Sequence, residues 1–193
     1  MNNSFEKAVR SKLGVDEDQL DPLQMSKITT LQIEDASQQD IDDLVNTPSI
    51  INLSLLCKGD IHLAPLQELP LLDTLRIAGA NLEYFAPMEK LTDLRHLDVS
   101  DSQIADFSHL SSLSELISLR LKNCDLDDLS PLEGMFNLSG LNLNENNIDN
   151  LNSLSALESL KSLIRDEGYI LFEIPDCTTS LDNYDYTMTW EEH

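Results

Sequence analysis

Basic residues are scarce in this chain of 193 residues, where 12 Lys and Arg residues face 35 Asp and Glu residues. The formal charge is −23, which repels DNA, RNA and anionic lipid. We therefore expect no nucleic-acid partner and no membrane partner. A basic protein would instead be attracted, at an association rate that falls as salt rises. Aromatic residues are also few, at 5%, so leucine supplies most of the apolar surface.

The sequence lacks both a signal peptide and a long apolar run. Residues 1–20 have no basic start, no apolar run of the required length and no small-residue cleavage site. No stretch approaches the 18 apolar residues of a membrane span. These absences favour a cytoplasmic protein, although a trimmed piece of an exported protein stays open as an alternative.

Motifs for catalysis and metal binding are absent as well. The three cysteines, Cys57, Cys124 and Cys177, form no CxxC pair, which favours free thiols and argues against zinc. There is no GxSxG, HExxH, P-loop or GxGxxG sequence. The acidic residues 125–128 lack the glycine and the distal glutamate of an EF-hand. We predict no catalytic residue, no metal site and no cofactor.

What the sequence does contain is a 22-residue period. Position 4 of every repeat is leucine, from Leu31 to Leu163, and in the six full repeats positions 1, 6, 14, 17 and 20 are apolar except at Thr47. Repeats start at Ile28, Ile50, Leu72, Leu94, Leu116 and Leu138, and a partial repeat starts at Leu160. Such a period is typical of a solenoid, whose stacked units bury one continuous core.

Each repeat predicts a strand followed by a helical turn. Positions 3 to 7 alternate, so positions 4 and 6 point inward from a strand. Positions 14, 17 and 20 are three apart, which is the spacing of a helical or 3₁₀ turn. The predicted fold class is α/β: a solenoid with a parallel concave sheet and helical or 3₁₀ turns on the convex side. The first two repeats carry Gln38 and Asp60 at position 11, where an apolar residue is expected, so we predict irregular turns there.

The consensus LxxLxLxx(N/C)xL over residues 28–163 resembles that of leucine-rich-repeat proteins. Cys124 and Asn146 occupy its N/C position, which is position 9. The 22-residue length and the Pro-Leu pairs at Pro65 and Pro131 resemble the bacterial internalin-type repeat. The resemblance implies the fold, whereas function depends on the site that the fold carries.

Both ends of the solenoid require a cap. Residues 1–27 predict a helical cap, with a helix between Asn3 and Gly14 and a short turn after Asp21. This segment resembles the cap that precedes internalin-type repeats. Residues 164–193 predict a β-strand cap with strands at residues 169–174 and 184–190. Internalins continue into an immunoglobulin-like domain at this point, and the remaining residues are too few for one.

Outward positions 3, 5 and 7 should line the concave face, which we predict to be the binding surface. Basic and polar residues cluster there in an otherwise acidic chain. We predict these partner-binding residues on the face: Gln32, Glu34, Arg76, Arg95, His96, Asp98, Arg120, Lys122, Asn142 and Asn144. A second candidate surface is the aromatic side of the last strand, at Tyr184, Tyr186 and Trp190. The competing interpretation is that the cations merely pair with Asp73, Asp98 and Asp101 as weak surface ion pairs.

These features favour a non-catalytic protein-binding module, with a monomer as the favoured state. One hypothesis is a cytosolic inhibitor or immunity-type protein that neutralises a basic enzyme or toxin. The alternative is an exported internalin-like effector or adhesion module that binds a host protein. Two further alternatives, an enzyme and a mimic of DNA, lack the motifs and the regular carboxylate spacing that they would need.

Overall fold

A computed structural model describes residues 3–16, 20–83, 85–148 and 151–165, and the backbone of 168–171. The helices are α1 (Ser4–Leu13), α2 (Pro22–Met25) and α3 (Gln38–Asp42). The strands are β1 (Thr30–Ala36), β2 (Asn52–Asp60), β3 (Thr74–Leu82), β4 (His96–Ser100), β5 (Gln103–Ile104), β6 (Ser118–Lys122), β7 (Gly140–Asn142), β8 (Ser162–Arg165) and β9 (Gly168–Leu171). Single 3₁₀ turns follow the strands at Asp43–Asn46, Ala64–Glu68, Ala86–Lys90, Ser108–Ser112, Ser130–Leu132 and Asn152–Ala156.

The nine strands that the structure describes form one sheet. Its order is β1-β2-β3-β4-β6-β7-β8-β9, and the short β5 pairs with the end of β3. All neighbours are parallel except β8 and β9. Residues at the same position of successive repeats lie opposite each other: Leu75 pairs with Leu97, and Leu97 pairs with Leu119. The predicted leucine-rich-repeat solenoid with a parallel sheet is confirmed.

One apolar core lies between the sheet and the row of 3₁₀ turns. The strands contribute the leucines of position 4, and the turns contribute the residues of position 17, such as Leu66, Met88 and Leu110. These three side chains are fully buried. Truncating a buried leucine to alanine costs about 2–5 kcal/mol, so each stacked leucine contributes substantially to the stability of the fold.

The first two repeats are irregular, as predicted. Leu56 pairs with Ala78, but Gly59 pairs with Ala80, so β2 contains one extra residue at a bulge. The bulge brings Ile61 level with Leu82, and both side chains are buried. Ile61 therefore takes the inward place that the polar Asp60 cannot fill.

A left-handed backbone recurs at position 8, just after the inward strand residues. Its residue has a φ between 51° and 74° in five repeats: Asp35, Gly79, Asp101, Asn123 and Glu145. Gly79 also lies close to the neighbouring strand, because a Cβ atom there would lie 2.8 Å from the backbone oxygen of Cys57. Gly59 also has a positive φ, of 82°, but a Cβ atom there would meet nothing within 4 Å.

We expect Gly79→Ala to destabilise the fold more than Gly59→Ala. Both substitutions place a side chain on a left-handed backbone, at a cost of about 1 kcal/mol or more. Only Gly79→Ala also forces two neighbouring strands apart. Urea unfolding followed by circular dichroism measures both losses, and equal losses would show that the close contact with Cys57 does not constrain the sheet.

Helix α1 covers the amino-terminal end of the core. The Asn3 side chain accepts a hydrogen bond from the Glu6 N–H at 2.9 Å, and Gly14 ends the helix with a left-handed φ of 68°. Phe5 and Val9 are buried against the first repeat. The predicted helical cap is confirmed.

Asp40 joins this cap to the first repeat. Its side chain is 1% exposed, and its carboxylate accepts hydrogen bonds from the Phe5 N–H at 2.6 Å, the Ser37 N–H at 2.8 Å and the Ser37 hydroxyl at 2.5 Å. Burial raises the pKa of Asp40, but the hydrogen bonds from the Ser37 side chain and from backbone N–H groups outweigh it and lower the pKa below its usual value.

Replacing Asp40 by Asn should destabilise the protein by about 1–3 kcal/mol at neutral pH, because the ionised acceptor is lost. A lowered folded pKa stabilises above the unfolded value of about 3.9, and that contribution is lost as the pH falls through the folded pKa. The difference between wild type and variant should therefore shrink below about pH 4.

Denaturant unfolding between neutral and acid pH measures this difference. Asp42→Asn is the matched control, since it removes the same charge from the exposed side of α3. A gap between wild type and Asp40→Asn that stays constant into acid would contradict the proposed role of the carboxylate.

The first predicted carboxyl-terminal strand is present as β9, whose described part covers Gly168–Leu171. It pairs antiparallel with β8, with Ile164 opposite Tyr169. The second predicted strand, residues 184–190, lies outside the described residues, as do Tyr184, Tyr186 and Trp190. The division of the chain at residues 27 and 163 stays a prediction. Among the described residues, no helix has the length and apolar character that crossing a bilayer requires.

Candidate binding site on the concave sheet

Side chains at positions 3, 5 and 7 share the outer face of the sheet, because a strand alternates between its two faces. The register places Arg76 of β3 opposite Asp98 of β4, and Asp98 opposite Arg120 of β6. These three predicted residues come together at the centre of the face. Gln32 and Glu34 lie on the edge strand β1, two strands away from Arg76.

The Asp98 carboxylate is the centre of this arrangement. The Arg76 Nε–H donates to one carboxylate oxygen at 3.0 Å, and the Ser100 hydroxyl donates to the other at 2.5 Å. Arg120 Nε lies 3.8 Å from that second oxygen. Asp98 is only 5% exposed, whereas the side chains of Arg76 and Arg120 are 45% and 34% exposed. The buried carboxylate therefore holds the Arg76 guanidinium by a hydrogen bond and lies near that of Arg120, and both arginine side chains still reach solvent.

Two cations around one carboxylate leave one net positive charge. A guanidinium group carries five N–H donors, and Asp98 accepts a hydrogen bond from one of them, on Arg76. The Nε atom of Arg120 is buried and makes no hydrogen bond to any residue that the structure describes. The arginine pair, Arg76 and Arg120, thus retains donors for a ligand.

A depression of about 250 Å³ opens between the two arginines. Its walls combine charge with apolar surface, and Leu56 is 48% exposed at its side. The central pocket is lined by Ser54, Leu55, Leu56, Arg76, Ala78, Asp98, Ser100 and Arg120. The sites predicted from the sequence did not include Leu56, Ser54 or Ser100. Leu56 could have been found, because an apolar residue at an outward strand position is unusual.

Ion pairs flank the central pocket. Arg95 lies 3.7 Å from Asp73, and Lys122 lies 2.9 Å from Glu145. The arginines pair with Asp73 and Asp98, as in the alternative interpretation that the cations of this face form surface ion pairs. Asp101 instead accepts a hydrogen bond from the Asn123 side chain at 2.9 Å.

The strip of cations is almost neutral as a result. Four cations, Arg76, Arg95, Arg120 and Lys122, face the three carboxylates of Asp73, Asp98 and Glu145. That count leaves one net positive charge on the strip, in a chain whose formal charge is −23. The strip differs from its surroundings in sign, and its excess charge lies at the arginine pair.

The remaining predicted residues lie beside this centre. His96 precedes Asp98 by two residues on the same face of β4 and is partly buried. Asn142 and Asn144 follow in the next repeat, where the Asn142 side chain accepts a hydrogen bond from the Asn144 N–H at 3.0 Å. The side-chain oxygen of Asn144 is buried and has no hydrogen-bond partner among the described residues.

A second, larger groove of about 770 Å³ lies at the carboxyl ends of the strands. Asn146 organises its floor: its side-chain oxygen accepts from the N–H groups of Cys124 and Leu126 at 3.0 and 3.1 Å. Cys124 is buried, as predicted for position 9, and burial raises the pKa of its thiol to about 11. Within the described part of the chain, no group of three His, Cys, Asp or Glu residues is placed to hold a metal ion.

No protein-family model and no curated protein matches this sequence. Solved structures do match it over most of its length. An internalin of Listeria monocytogenes, InlF, has a TM-score of 0.69 at 27% identity, over 82% of this chain and 48% of the internalin. The chain has the internalin-type leucine-rich-repeat fold. The resemblance inferred from the repeat length and the consensus is thereby confirmed.

Other internalin-type structures give the same fold at lower identity. InlP of the same organism has a TM-score of 0.66 at 16% identity, covering 83% of this chain and 49% of InlP. A secreted internalin-like protein of Listeria monocytogenes has a TM-score of 0.61 at 19% identity. The match covers 83% of this chain and 61% of that protein. The chain spans about half the length of InlF and InlP, so the likeness concerns the repeat region.

We expect Asp98→Asn to destabilise this internalin-type sheet more than Asp73→Asn. Asp98 is buried and lies between two arginines, so its loss leaves Arg76 on β3 and Arg120 on β6 facing each other across β4 with no carboxylate between them. Removing a fully buried partner costs about 3–5 kcal/mol, and the exposure of the arginines reduces this to about 1–3 kcal/mol.

Asp73 is the matched control, because its side chain is one-third exposed and pairs with one arginine at 3.7 Å. Such a pair contributes less than about 1 kcal/mol. Urea unfolding of both variants at low salt gives the two losses. Equal losses would show that Asp98 does not organise the centre of the sheet.

Proposed function

We propose that this chain is a non-catalytic protein-binding module that engages its partner through the concave face. The observation that carries the proposal is the central pocket, in which a buried Asp98 holds two half-exposed arginines beside the exposed Leu56. Fixed arginines next to an apolar side chain are typical of the anchor points of protein interfaces.

The size of the face supports a macromolecular partner. Seven parallel strands lie about 4.8 Å apart, so the sheet offers a surface on the order of 30 Å long. Its polar side chains continue on both sides of the central pocket. A surface of this length suits a protein, whereas a small metabolite would contact only one or two repeats.

The charge of the chain favours a basic partner. A formal charge of −23 steers basic proteins toward the molecule over distances of about one Debye length, ~8–10 Å. We propose more narrowly that the chain is a cytosolic inhibitor or immunity-type protein that neutralises a basic enzyme or toxin. Tight sequestration of a basic protein is a function that an acidic, non-catalytic solenoid can perform.

An exported effector or adhesion module is the second candidate. It is favoured by the structural likeness to a protein described as a secreted internalin-like protein. The two candidates differ in where the native protein is found. Recovery from the culture medium of the native host supports the exported module, and retention inside the cell supports the inhibitor.

Partner capture from a lysate of the native host, at low and at moderate salt, tests the proposal. The triple variant Arg76→Ala, Arg120→Ala, Lys122→Ala should bind the captured protein at least about 30-fold more weakly than wild type, as expected for two or more anchor residues. The association rate of wild type should fall as salt rises.

The matched control is Lys7→Ala, Lys27→Ala, Lys90→Ala, which makes the same change in net charge at exposed lysines outside the strip. It should bind like wild type. Equal weakening in both triple variants would show that net charge, and not the concave face, governs binding. An acidic partner that binds independently of salt would contradict the inhibitor proposal.

A further inference from the structure

The central pocket has the chemistry of a site for one carboxylate group. We infer that it receives a carboxylate of the partner protein, borne on a short aliphatic stem, between Arg76 and Arg120. This inference rests on the proposed function, because it names the anchor that the concave face would bind. It does not follow from the overall charge of the chain, which repels anions.

The Arg76 guanidinium is held in place by Asp98 before a ligand arrives. Asp98 accepts from the Nε–H of Arg76, so the edge formed by the two terminal nitrogens of that guanidinium remains for a second acceptor. No described residue accepts a hydrogen bond from those terminal nitrogens. A planar edge with two parallel N–H groups matches a carboxylate in bidentate geometry.

Arg120 supplies the second, independent observation. Its Nε atom is buried and makes no hydrogen bond to any described residue, while Asp98 lies 3.8 Å away, beyond hydrogen-bond distance. A buried donor without an acceptor is unfavourable. Because the Nε atom is closed to solvent while the Arg120 side chain is 34% exposed, a ligand in the pocket would contact the terminal nitrogens of Arg120 instead.

The electrostatic sign of the pocket also favours an anion. Two guanidinium groups and one carboxylate leave one positive charge, which the described structure does not neutralise within the pocket. Partial burial weakens the screening of that charge by water. An anion therefore gains more here than it would from an exposed arginine.

The volume of the central pocket and the residues that line it favour one class of anion. At about 250 Å³ the pocket is smaller than most small-molecule sites and suits a single side chain or chain terminus. Leu56 and Ala78 supply an apolar wall beside the arginines. A glutamate side chain, or a terminal carboxylate on an apolar residue, fills both parts, whereas a bare phosphate leaves the apolar wall uncovered.

A carboxylate anchor is compatible with a basic partner. The acidic body of the chain attracts a basic surface at long range, and the pocket then selects the one surface position that carries an acid. A basic protein without that acid would leave the positive charge of the arginine pair uncompensated. The net charge attracts any basic protein, and the pocket adds specificity for those that carry the acid.

The test titrates the full chain with small probes and follows the Nε–H signals of its arginines in proton–nitrogen correlation spectra, at constant ionic strength. N-acetyl-glutamic acid α-methylamide presents a side-chain carboxylate, and N-acetyl-leucine presents a terminal one. N-acetyl-glutamine methylamide is the neutral control, and inorganic phosphate is the competing anion. The variants Arg76→Lys and Arg120→Lys assign the two signals.

We expect saturable shifts of the Arg76 and Arg120 signals with at least one carboxylate probe, and binding of the neutral amide weaker by about tenfold or more. The Arg95 signal serves as an internal control, because Arg95 pairs with Asp73 outside the pocket. Arg76→Gln should abolish the shift at Arg120, whereas Arg95→Gln should leave both shifts unchanged. The relative response to the two carboxylates tells a side chain from a chain terminus.

Two outcomes overturn the inference. Saturation by phosphate alone would assign the pocket to a phosphate group, and the absence of saturation by any probe would show that it holds only solvent. Neither outcome decides the proposed function, which fails if partner capture is insensitive to the arginine triple variant or is weakened equally by the lysine control variant. The two failures are therefore distinguishable.

Discussion

The register of the stacked repeats is the constraint on which the rest of the structure depends. Leu75, Leu97 and Leu119 lie opposite one another because every repeat places its strand at the same point of a 22-residue period. A single repeat cannot bury both its strand residues and its turn residues, so the neighbours must align. The same alignment acts on the outer face, where it brings Arg76, Asp98 and Arg120 side by side although each is 22 residues from the next. The core thus fixes the geometry of the site.

Because the register is fixed, the order of charged residues across neighbouring strands affects the stability of the sheet. Like charges directly opposite each other destabilise a sheet, and an Arg–Asp–Arg sequence avoids that repulsion while leaving an excess of one cation. Ser100 completes the arrangement, since its hydroxyl and the Arg76 Nε–H occupy different oxygens of the Asp98 carboxylate. A buried ion pair is weak grounds for inferring stability. Here its consequence is orientation, because two long, flexible side chains share one fixed, buried partner.

The fold could be predicted from the sequence because its period is long and its inward positions are nearly all apolar. The amino-terminal cap could be predicted for a different reason: asparagine and glycine, here Asn3 and Gly14, are residue types that commonly begin and end helices. The bulge that moves Ile61 inward was foreseen only as an irregularity, since its position depends on how two strands fit together. The ion pairs were harder still. Glu145 sits one repeat beyond Lys122 in a left-handed turn, and nothing in the local sequence marks it as the partner. The burial of Asp98, as against the exposure of Asp73, depends on neighbours from three strands.

Two ranges of electrostatic interaction are separated in this molecule. The acidic body acts over a Debye length and is weakened by salt, whereas the arginine pair acts in contact and is partly shielded from solvent. The long-range charge is negative and the contact site is positive. The surface therefore attracts basic proteins and binds most tightly those that carry an acidic group at one position. Long-range attraction alone would raise the association rate for many proteins equally. A contact site of the opposite sign, held by a buried carboxylate, is what allows such a chain to distinguish among them.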